Sequence, residues 1–272
     1  MAHWTLDDIP WGRFDPSQVD PEIIKVVKAA SLVEHNGLEY ARYLEKVFPD
    51  DAAFKEAAWN WGREEVQHGQ ALARWARLAD PGFDFAAAFA LFSDKIRLPE
   101  NPGRSVRGTR AGELISRCVV EVGTSSYYTA MGAAAREPVL REICKHIAAD
   151  ELRHYKLFYK HLQGYIERER IGPWRRLWVA LGRFFESEDD ELAFAYYAAN
   201  HVGDGPYSRR RYNAAYVRRA YGFYRPGHVE RGVAMTMKAV GLNPQGRLSQ
   251  WLSRLATWFM EARARRLARV DA

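Results

Sequence analysis

The sequence predicts an all-α protein built on a four-helix bundle, and three observations lead to this fold class. Apolar residues recur at helical spacing, and the alternation typical of β-strands is absent. Clusters of proline, glycine and aspartate divide the chain into long helical segments joined by turns. Two Glu-x-x-His motifs each follow a single glutamate by 30 or 31 residues. The six residues of this pattern are Glu34, Glu65, His68, Glu121, Glu151 and His154.

The composition is that of an ordinary folded protein. Of 272 residues, 47% are hydrophobic and 27% are charged, which predicts a sizeable core and little disorder. No apolar run approaches the roughly 18 residues of a membrane span, so no integral membrane segment is expected. The two cysteines and the absence of a basic-then-apolar leader predict a reducing, cytoplasmic location.

The charge is distributed unevenly. The net charge is +6, but the residues from Gly205 onward carry 14 Lys and Arg against three acidic residues, a net charge of +11. Such a basic region predicts an acidic partner, which could be a carrier protein, an electron donor, nucleic acid or an anionic membrane surface. A solvated face that only promotes solubility explains the same pattern equally well.

The first two helices are expected to form a hairpin. Residues 1–19 are predicted to form an irregular arm that contains Trp4 and Trp11. The first helix begins at Asp20-Pro21, where aspartate caps and proline occupies the first turn, and it runs to about Phe48. After a Pro-Asp-Asp turn, the second helix covers 52–78.

A long connection over 79–107, rich in proline and glycine, joins this hairpin to the next one. It is expected to contain a short helix over 85–92. The third helix covers 109–136 and the fourth covers 138–168. Further helices are predicted over 174–186, 189–202, 207–224, 228–240 and 247–270. The expected organisation is therefore an arm (1–19), a bundle (20–168) and a basic helical extension packed on it (169–272).

The spacing of the glutamates is more informative than their identity. Within each predicted hairpin, both glutamates lie 15 or 16 residues from the turn: Glu34 and Glu65 in the first, Glu121 and Glu151 in the second. At about 1.5 Å per residue, the two members of each pair reach the same height on antiparallel helices. The four carboxylates are therefore predicted to meet near the middle of the bundle, where burial is deepest.

Four carboxylates buried at one level need positive charge. Two ferrous ions would supply it, and manganese suits the same ligands. Residues three apart share a helix face, so each Glu-x-x-His motif can present both of its side chains to the same site. The long connection also spans the bundle, as a crossover between helices 2 and 3 requires.

These motifs resemble the ferritin-like di-iron carboxylate proteins and, among them, the soluble acyl-carrier-protein desaturases. Glu34–Leu44 is similar to the first ligand helix of that family, Trp61–Gly69 to the second and Glu121–Thr124 to the third. Ile147–His154 is similar to the fourth helix almost letter for letter. The resemblance covers about residues 20–168 and implies a ferritin-like bundle with one long crossover.

By this resemblance, the six Glu and His residues above would bind two iron ions. Asp150 would accept a hydrogen bond from His68, and Glu64 would accept one from His154, which would fix both imidazoles. Thr124 would lie on the oxygen-binding face and help to deliver protons. The alternative for Thr124 is a hydroxyl bonded to a carbonyl one turn back.

Other residues have two interpretations each. Trp4 or Trp11 either lies on an electron route to the iron or anchors one end of the core. His35 and His146 are expected not to be ligands. Tyr127 and Tyr128 are expected in the core rather than in contact with substrate. The helix over 247–270 mixes apolar residues with arginines, so it either lies on a membrane surface or docks on the bundle.

The function favoured by these features is an O2-dependent oxidoreductase that desaturates or hydroxylates an unactivated C–H bond. The resemblance implies a fatty acyl substrate on an acyl carrier protein, or on another acidic carrier, and a ferredoxin-type or other electron donor. A homodimer is also expected.

Four other functions share the ligand pattern. A rubrerythrin-like peroxidase or ferroxidase usually has a further glutamate ligand or a rubredoxin-type cysteine set, and two isolated cysteines exclude the latter. A radical subunit like that of ribonucleotide reductase has a tyrosine four residues after the first histidine, where this chain has Leu72. A di-iron hydroxylase of transfer RNA would suit the basic region, although no RNA-binding module is recognisable. A ferritin-like scaffold without activity is the non-enzymatic alternative.

Overall fold

The computed structural model describes residues 3–99, 105–186, 190–201 and 205–268. Within these ranges the chain forms eleven α-helices and no strand, which confirms the all-α prediction. The helices are α1 (Pro21–His35), α2 (Gly37–Val47), α3 (Ala52–Ala79), α4 (Phe85–Lys95), α5 (Arg110–Ala134), α6 (Pro138–Glu169), α7 (Pro173–Glu186), α8 (Asp190–Asn200), α9 (Arg209–Phe223), α10 (Pro226–Ala239) and α11 (Arg247–Ala268). None of the described helices is long and apolar enough to cross a bilayer.

Capping side chains explain where the long helices begin. Asp20, Asp51, Thr109 and Glu137 each accept a hydrogen bond from a backbone N–H group in the first turn of the helix that follows. Proline occupies the first position of α1 and of α6, where its missing N–H group has no intrahelical partner to lose. Apart from the break described next, the predicted helix ends that fall on described residues differ from those in the structure by at most three residues. The predicted ends at 189, 202 and 270 lie outside the described residues.

The prediction of one continuous helix from Asp20 to Phe48 is wrong, because the chain breaks at Asn36. The backbone N–H group of Asn36 bonds to the carbonyl of Val33 at 3.2 Å, which tightens the last turn of α1. The next residue, Gly37, packs so tightly against α3 that a Cβ atom on it would lie 2.4 Å from Cβ of Glu65. The break therefore follows from a tertiary contact.

Two more glycines continue this close approach along α3. A Cβ atom on Gly62 would lie 2.9 Å from the carbonyl oxygen of Gly37, and one on Gly69 would lie 2.5 Å from the backbone nitrogen of His35. Both distances are shorter than the contacts that Cβ atoms make, so any residue other than glycine would force the helices apart at these positions. The glycines flank Glu65 in the sequence, so α1 and α2 contact α3 backbone to backbone at the height of this glutamate.

The remaining helices pack around these elements. α5 contacts α6 most extensively, and α3 contacts α1, α2 and α6. From the chain beyond residue 168, α7, α9 and α10 pack against α5, α8 packs against α1, and α11 packs against α9 and α10. The buried apolar residues form two clusters, one that includes Trp75 and Ile143 and one that includes Phe48 and Phe158. The ferritin-like connectivity of the bundle stays a prediction.

Candidate metal centre

The six residues singled out in the sequence lie together in the interior. Each has at most 8% of its surface exposed. Their ligand atoms form two groups, within each of which every atom lies within 4.8 Å of the others. Glu65 and Glu151 belong to both groups. The first group adds Glu34 and His68, and the second adds Glu121 and His154.

Each imidazole turns its Nδ1 atom towards the carboxylates. Nδ1 of His68 lies 3.3 Å from Oε2 of Glu65 and 3.4 Å from Oε1 of Glu151. Nδ1 of His154 lies 3.0 Å from Oε1 of Glu65 and 3.5 Å from Oε2 of Glu121. The two rings therefore face the same carboxylates, with their centroids 5.7 Å apart.

The other nitrogen of each ring donates to a carboxylate outside the cluster. Nε2 of His68 donates to Oδ2 of Asp150 at 3.0 Å, and Nε2 of His154 donates to Oε2 of Glu64 at 2.7 Å. Ionised carboxylates only accept hydrogen bonds, so they favour the tautomer that carries its proton on Nε2. A neutral ring then presents the lone pair of Nδ1 to the cluster.

Arg153 links these two outer carboxylates, and sequence reasoning missed it. Its two terminal nitrogens donate to Oδ1 of Asp150 at 2.9 Å and to Oε2 of Glu64 at 2.6 Å. The spacing of three residues between Asp150 and Arg153 on one helix could have indicated the first contact. The second contact crosses from α6 to α3, and no local pattern signals it.

Trp4, rather than Trp11, reaches the candidate centre from the N-terminal arm. Its indole nitrogen donates to Oδ2 of Asp150 at 2.6 Å. Its ring stacks on His68, with centroids 6.0 Å apart and planes 2° apart, and on its other side it meets His146 at 5.0 Å. Trp11 instead donates to the carbonyl of Leu6. Trp4 thus belongs to the core and is also one contact away from a candidate ligand.

The two histidines that were expected not to be ligands lie outside both groups. His146 stacks on Trp4, as described above, and lies 3.5 Å from Glu142. His35 packs edge-on against Phe85 and Phe89, and its burial lowers the pKa of its ring.

Two hydroxyl groups contact the glutamates. Oγ1 of Thr124 lies 2.8 Å from Oε2 of Glu151 and 3.1 Å from the carbonyls of Val120 and Glu121, so both interpretations of this residue match its contacts. The hydroxyl of Tyr128 donates to Oε1 of Glu34 at 2.5 Å. Tyr128 was expected to be a core residue, and it is fully buried, but its bond to Glu34 was not foreseen.

Burial and the crowding of like charges shift the pKa values of the glutamates. Burial, together with the nearby carboxylates of Glu65 and Glu151, raises the pKa of Glu34 well above its usual range. Burial and Glu151 do the same to the pKa of Glu121. Burial also acts to raise the pKa of Glu65, but the two imidazoles outweigh it and hold that pKa well below normal.

The imidazoles show the complementary effect. Burial acts to lower the pKa of His68, but hydrogen bonds with carboxylates, first that of Asp150, raise it well above the usual value. Burial also acts to lower the pKa of His154, but the negative charge of Glu65 chiefly raises it well above the usual value. Both shifts favour the positively charged form of the imidazoles beside the glutamates.

Three orphaned atoms test whether these residues fit a metal pair. Oε2 of Glu121, Oε1 of Glu151 and Nδ1 of His154 are buried and make no hydrogen bond. Buried polar atoms rarely lack a partner, and these three are the atoms that a cation would bind. Four carboxylates and two imidazoles also match the ligand preferences of Fe(II) and Mn(II). The residues therefore fit a pair of such ions.

A largely apolar cavity of about 520 Å³ opens onto the cluster, and the sequence did not indicate it. Glu34, Glu65, Glu121, Glu151 and Thr124 form its inner end. Its outer walls come from helices beyond residue 168, with residues such as Leu177, Leu181, Val217, Val233, Leu252 and Leu255. The C-terminal helices therefore shape the space in front of the candidate metal centre.

Comparison with known proteins adds no family to this description. No protein-family model matches the chain, and no curated protein matches it at a significant level. The interpretation of the cluster therefore depends on its own residues and contacts.

Proposed function

We propose that this protein is a di-iron oxidoreductase that uses O2 to oxidise an unactivated C–H bond in a fatty acyl chain, by desaturation or by hydroxylation. One observation carries the proposal: a buried set of four glutamates and two histidines, with orphaned ligand atoms, faces the inner end of an apolar cavity. A cluster of charged residues with only a structural role would be expected neither to leave buried ligand atoms without hydrogen bonds nor to face an apolar cavity.

The two groups of ligand atoms assign the residues. Glu65 and Glu151 belong to both groups and would bridge the two ions. Glu34 and His68 would hold one ion, and Glu121 and His154 would hold the other. A pair of iron ions, or manganese with iron, supplies the redox chemistry that O2 activation needs.

The protein orients these ligands through contacts that exist without metal. Asp150 and Glu64 set the tautomer and the angle of the two imidazoles, and Arg153 holds both carboxylates. Tyr128 holds Glu34 by a hydrogen bond. Because the ligands are held in advance, little reorganisation is needed when ions bind.

Proton and electron supply have candidate routes in the same set of contacts. The hydroxyl of Thr124 donates to Oε2 of Glu151 at 2.8 Å and both residues line the cavity, so Thr124 can hold a proton at the face where substrate and O2 would meet. Trp4, Asp150 and His68 form a chain of contacts from the N-terminal arm to the cluster, which we assign to electron entry.

The cavity favours an apolar substrate. Its volume lies in the range of about 300–1,000 Å³ that is typical of small-molecule sites. Its largely apolar walls, built from aliphatic and aromatic side chains, would exclude water from the reacting carbon and hold a hydrocarbon chain against the cluster. The basic region from Gly205 onward suits an acidic partner, such as an acyl carrier protein or a ferredoxin-type electron donor.

Product mass tests the proposal directly. Protein reconstituted with Fe(II) is incubated with O2, an electron-donor system and acyl substrates in free and carrier-bound form. We expect products that have lost two hydrogens or gained one oxygen. Unchanged acyl chains together with rapid consumption of peroxide would contradict the proposal and favour a peroxidase.

A matched pair of variants ties activity to the cluster. Glu121→Gln removes a candidate ligand at constant size, and we expect it to lower iron content and to abolish turnover. Glu142→Gln on the surface of α6 is the control and should keep both. Equal iron content and equal activity in the two variants would show that Glu121 is not a ligand.

A further inference from the structure

α11 exposes large apolar residues that a helix docked on a core would normally bury. Its buried residues include Ser249, Ser253 and Met260, and Leu252 is half-buried. Its large apolar residues recur at intervals of three and four and so form one stripe. This stripe is exposed, at 36, 59, 43 and 61% for Leu248, Trp251, Leu255 and Trp258.

α7 presents a second exposed aromatic pair. Trp174 and Trp178, one turn apart, are 69% and 77% exposed, whereas Leu177 and Ala180 between and beyond them are buried. All nine tryptophans of the chain lie in the described ranges, and the exposed ones all lie on α7 and α11. Their concentration on two helices indicates a surface that is covered in use.

Arginines accompany these tryptophans. Arg175, between the two tryptophans of α7 in the sequence, is exposed, and so are Arg247, Arg254 and Arg266 on α11. Indole rings and arginines together are typical of helices that lie in the interface between lipid headgroups and acyl chains. The indole ring suits this boundary because it combines a large apolar surface with one polar N–H group.

The exposed stripe also borders the cavity. Leu255 and Trp258 of α11 are exposed, yet they line the same cavity that ends at the candidate metal centre. Leu177 and Leu181 line it from α7. The two helices that carry the exposed tryptophans, α7 and α11, therefore both line this cavity.

We propose that α7 and α11 form a bilayer-docking face, which binds the surface of an anionic membrane and admits acyl chains of its lipids to the cavity. Docking depends only on the surface described here. The admission of lipid chains as substrate also rests on the proposed function. The source of the acyl chain would then be a membrane lipid, reached without passage through water.

Charge decides between a bilayer and the other candidate occupants. A second copy docked face to face would bring arginines against arginines, which is unfavourable. An acidic carrier protein would pair with the arginines, but it would have to cover four large indole rings as well. An anionic bilayer accommodates both groups at once, with headgroups for the arginines and the interfacial layer for the tryptophans.

Vesicle sedimentation tests docking without any need for turnover. The full chain, with and without iron, is mixed with vesicles of phosphatidylcholine alone or of phosphatidylcholine with phosphatidylglycerol. We expect binding to the anionic vesicles in both metal states and weaker binding to the neutral ones. We expect the quadruple variant W174A/W178A/W251A/W258A to bind the anionic vesicles at least about tenfold more weakly.

Two controls keep the result interpretable. Leu78→Ala with Leu91→Ala removes exposed leucines of α3 and α4, outside the face, and should bind vesicles like wild type. Trp174→Ala with Trp178→Ala alters α7 alone and should give an intermediate loss, which guards against misfolding of the quadruple variant. Arg247→Gln with Arg254→Gln should reduce the preference for anionic over neutral vesicles.

Several outcomes would overturn the docking proposal: no binding by wild type, equal binding by the quadruple and wild-type proteins, tryptophan-dependent dimers that ignore vesicles, or retention by an acidic carrier but not by vesicles. The two proposals can fail separately. If the protein binds vesicles but oxidises no acyl chain, the docking proposal is supported and the proposed reaction is contradicted. If it oxidises carrier-bound chains in solution and does not bind vesicles, the proposed reaction is supported and the docking proposal is contradicted.

Discussion

Each candidate ligand imidazole is hydrogen-bonded to a carboxylate outside the cluster, and one arginine donates hydrogen bonds to both of these carboxylates. Asp150 and Glu64 accept from His68 and His154, and Arg153 donates to the two carboxylates from the protein surface. The two halves of the cluster are thus coupled outside the metal positions as well as through the shared glutamates. A change in Arg153 should therefore affect both imidazoles together.

Tyr128 offers a sharper test of how single residues position the ligands. Tyr128→Phe removes the hydroxyl that donates to Glu34, so we expect metal affinity to fall about 10–100-fold, the usual effect of losing such an outer contact. Tyr127→Phe is the matched control, because its buried hydroxyl makes no hydrogen bond to the cluster. Metal titration followed by absorbance measures both. Equal affinities would mean that Tyr128 is only a core residue.

At this scale the sequence was informative about residue types and less so about contacts between helices. Two Glu-x-x-His motifs predicted which side chains share a helix face, since that follows from helical geometry alone. Tyr128 and Arg153 were missed because their decisive contacts, with Glu34 and Glu64, cross from one helix to another. Such contacts depend on how each helix is rotated and shifted, which periodicity does not specify.

Among the elements, α3 has the strictest packing requirement. Gly62 and Gly69 lie seven residues apart, on either side of the Glu65–His68 motif, and both contact the backbone of α1 or α2 directly. This close approach allows Glu34 and Glu65 to share one site. The two glycines therefore position the candidate ligands by allowing the helices to approach closely, although neither glycine has a side chain that could bind metal.

The same substitution, glycine to alanine, is expected to have opposite effects on stability at two positions, and this difference tests the role of the close packing. Gly69→Ala places a Cβ atom about 2.5 Å from the backbone nitrogen of His35, which cannot move as a side chain would. We expect a loss of about 1–3 kcal/mol in the free energy of unfolding, as for other overpacked sites, and weaker metal binding.

Gly164→Ala is the control, because nothing lies within 4 Å of its Cβ position on α6. This substitution should stabilise the protein by up to about 1 kcal/mol through helix propensity. Denaturant unfolding of both variants measures the two effects. The same sign for both would contradict the close-packing argument.

The ends of the elements were predictable because they depend on local chemistry. A capping aspartate and a first-turn proline marked the start of α1, as observed, and α6 likewise begins at a proline. The break at Asn36 was not predictable, because the residues around it read as one continuous amphipathic helix. It arises where Gly37 meets α3, and the sequence does not reveal which distant helix a glycine will contact.

For the molecule as a whole, the buried carboxylates link stability to metal. The proposed function requires iron to bind the folded cluster and not the unfolded chain, so iron at 100 times its dissociation constant should add about 2.7 kcal/mol for each ion bound. For a protein of this size we expect the melting temperature to fall by about 5–10 °C for each ion that chelation removes. Calorimetry with and without Fe(II) measures this. His68→Ala, which removes a ligand, should show a much smaller difference, and an unchanged melting temperature in wild type would contradict a buried metal pair.

The dependence on pH has a definite sign. The pKa values of His68 and His154 are raised in the folded metal-free protein, so their stabilising contribution is complete below about pH 6.5 and is lost as pH rises through the folded pKa. Metal must displace these protons, and it binds more tightly as they leave. We therefore expect the difference in melting temperature between metal-loaded and metal-free protein to grow from about pH 6 to about pH 8. A difference that shrinks over this range would contradict the proton-linked site.

The cavity is the feature of the whole molecule that the sequence did not predict. Its inner end comes from the motif-bearing helices, whereas its outer walls come from α7, α9, α10 and α11. The charge and composition of those later helices predicted a basic extension. They did not indicate that the extension would line the approach to the cluster, because that depends on packing between distant segments.

The order of these parts along the chain has a consequence for how the proposed metal ions would be acquired. α11 begins 93 residues after His154, the last candidate ligand, and α11 lines the outer part of the cavity. A nascent chain on the ribosome therefore exposes every ligand before the helix that narrows their access has been synthesised. We expect ions to load most readily during translation and to exchange slowly once the finished protein has folded.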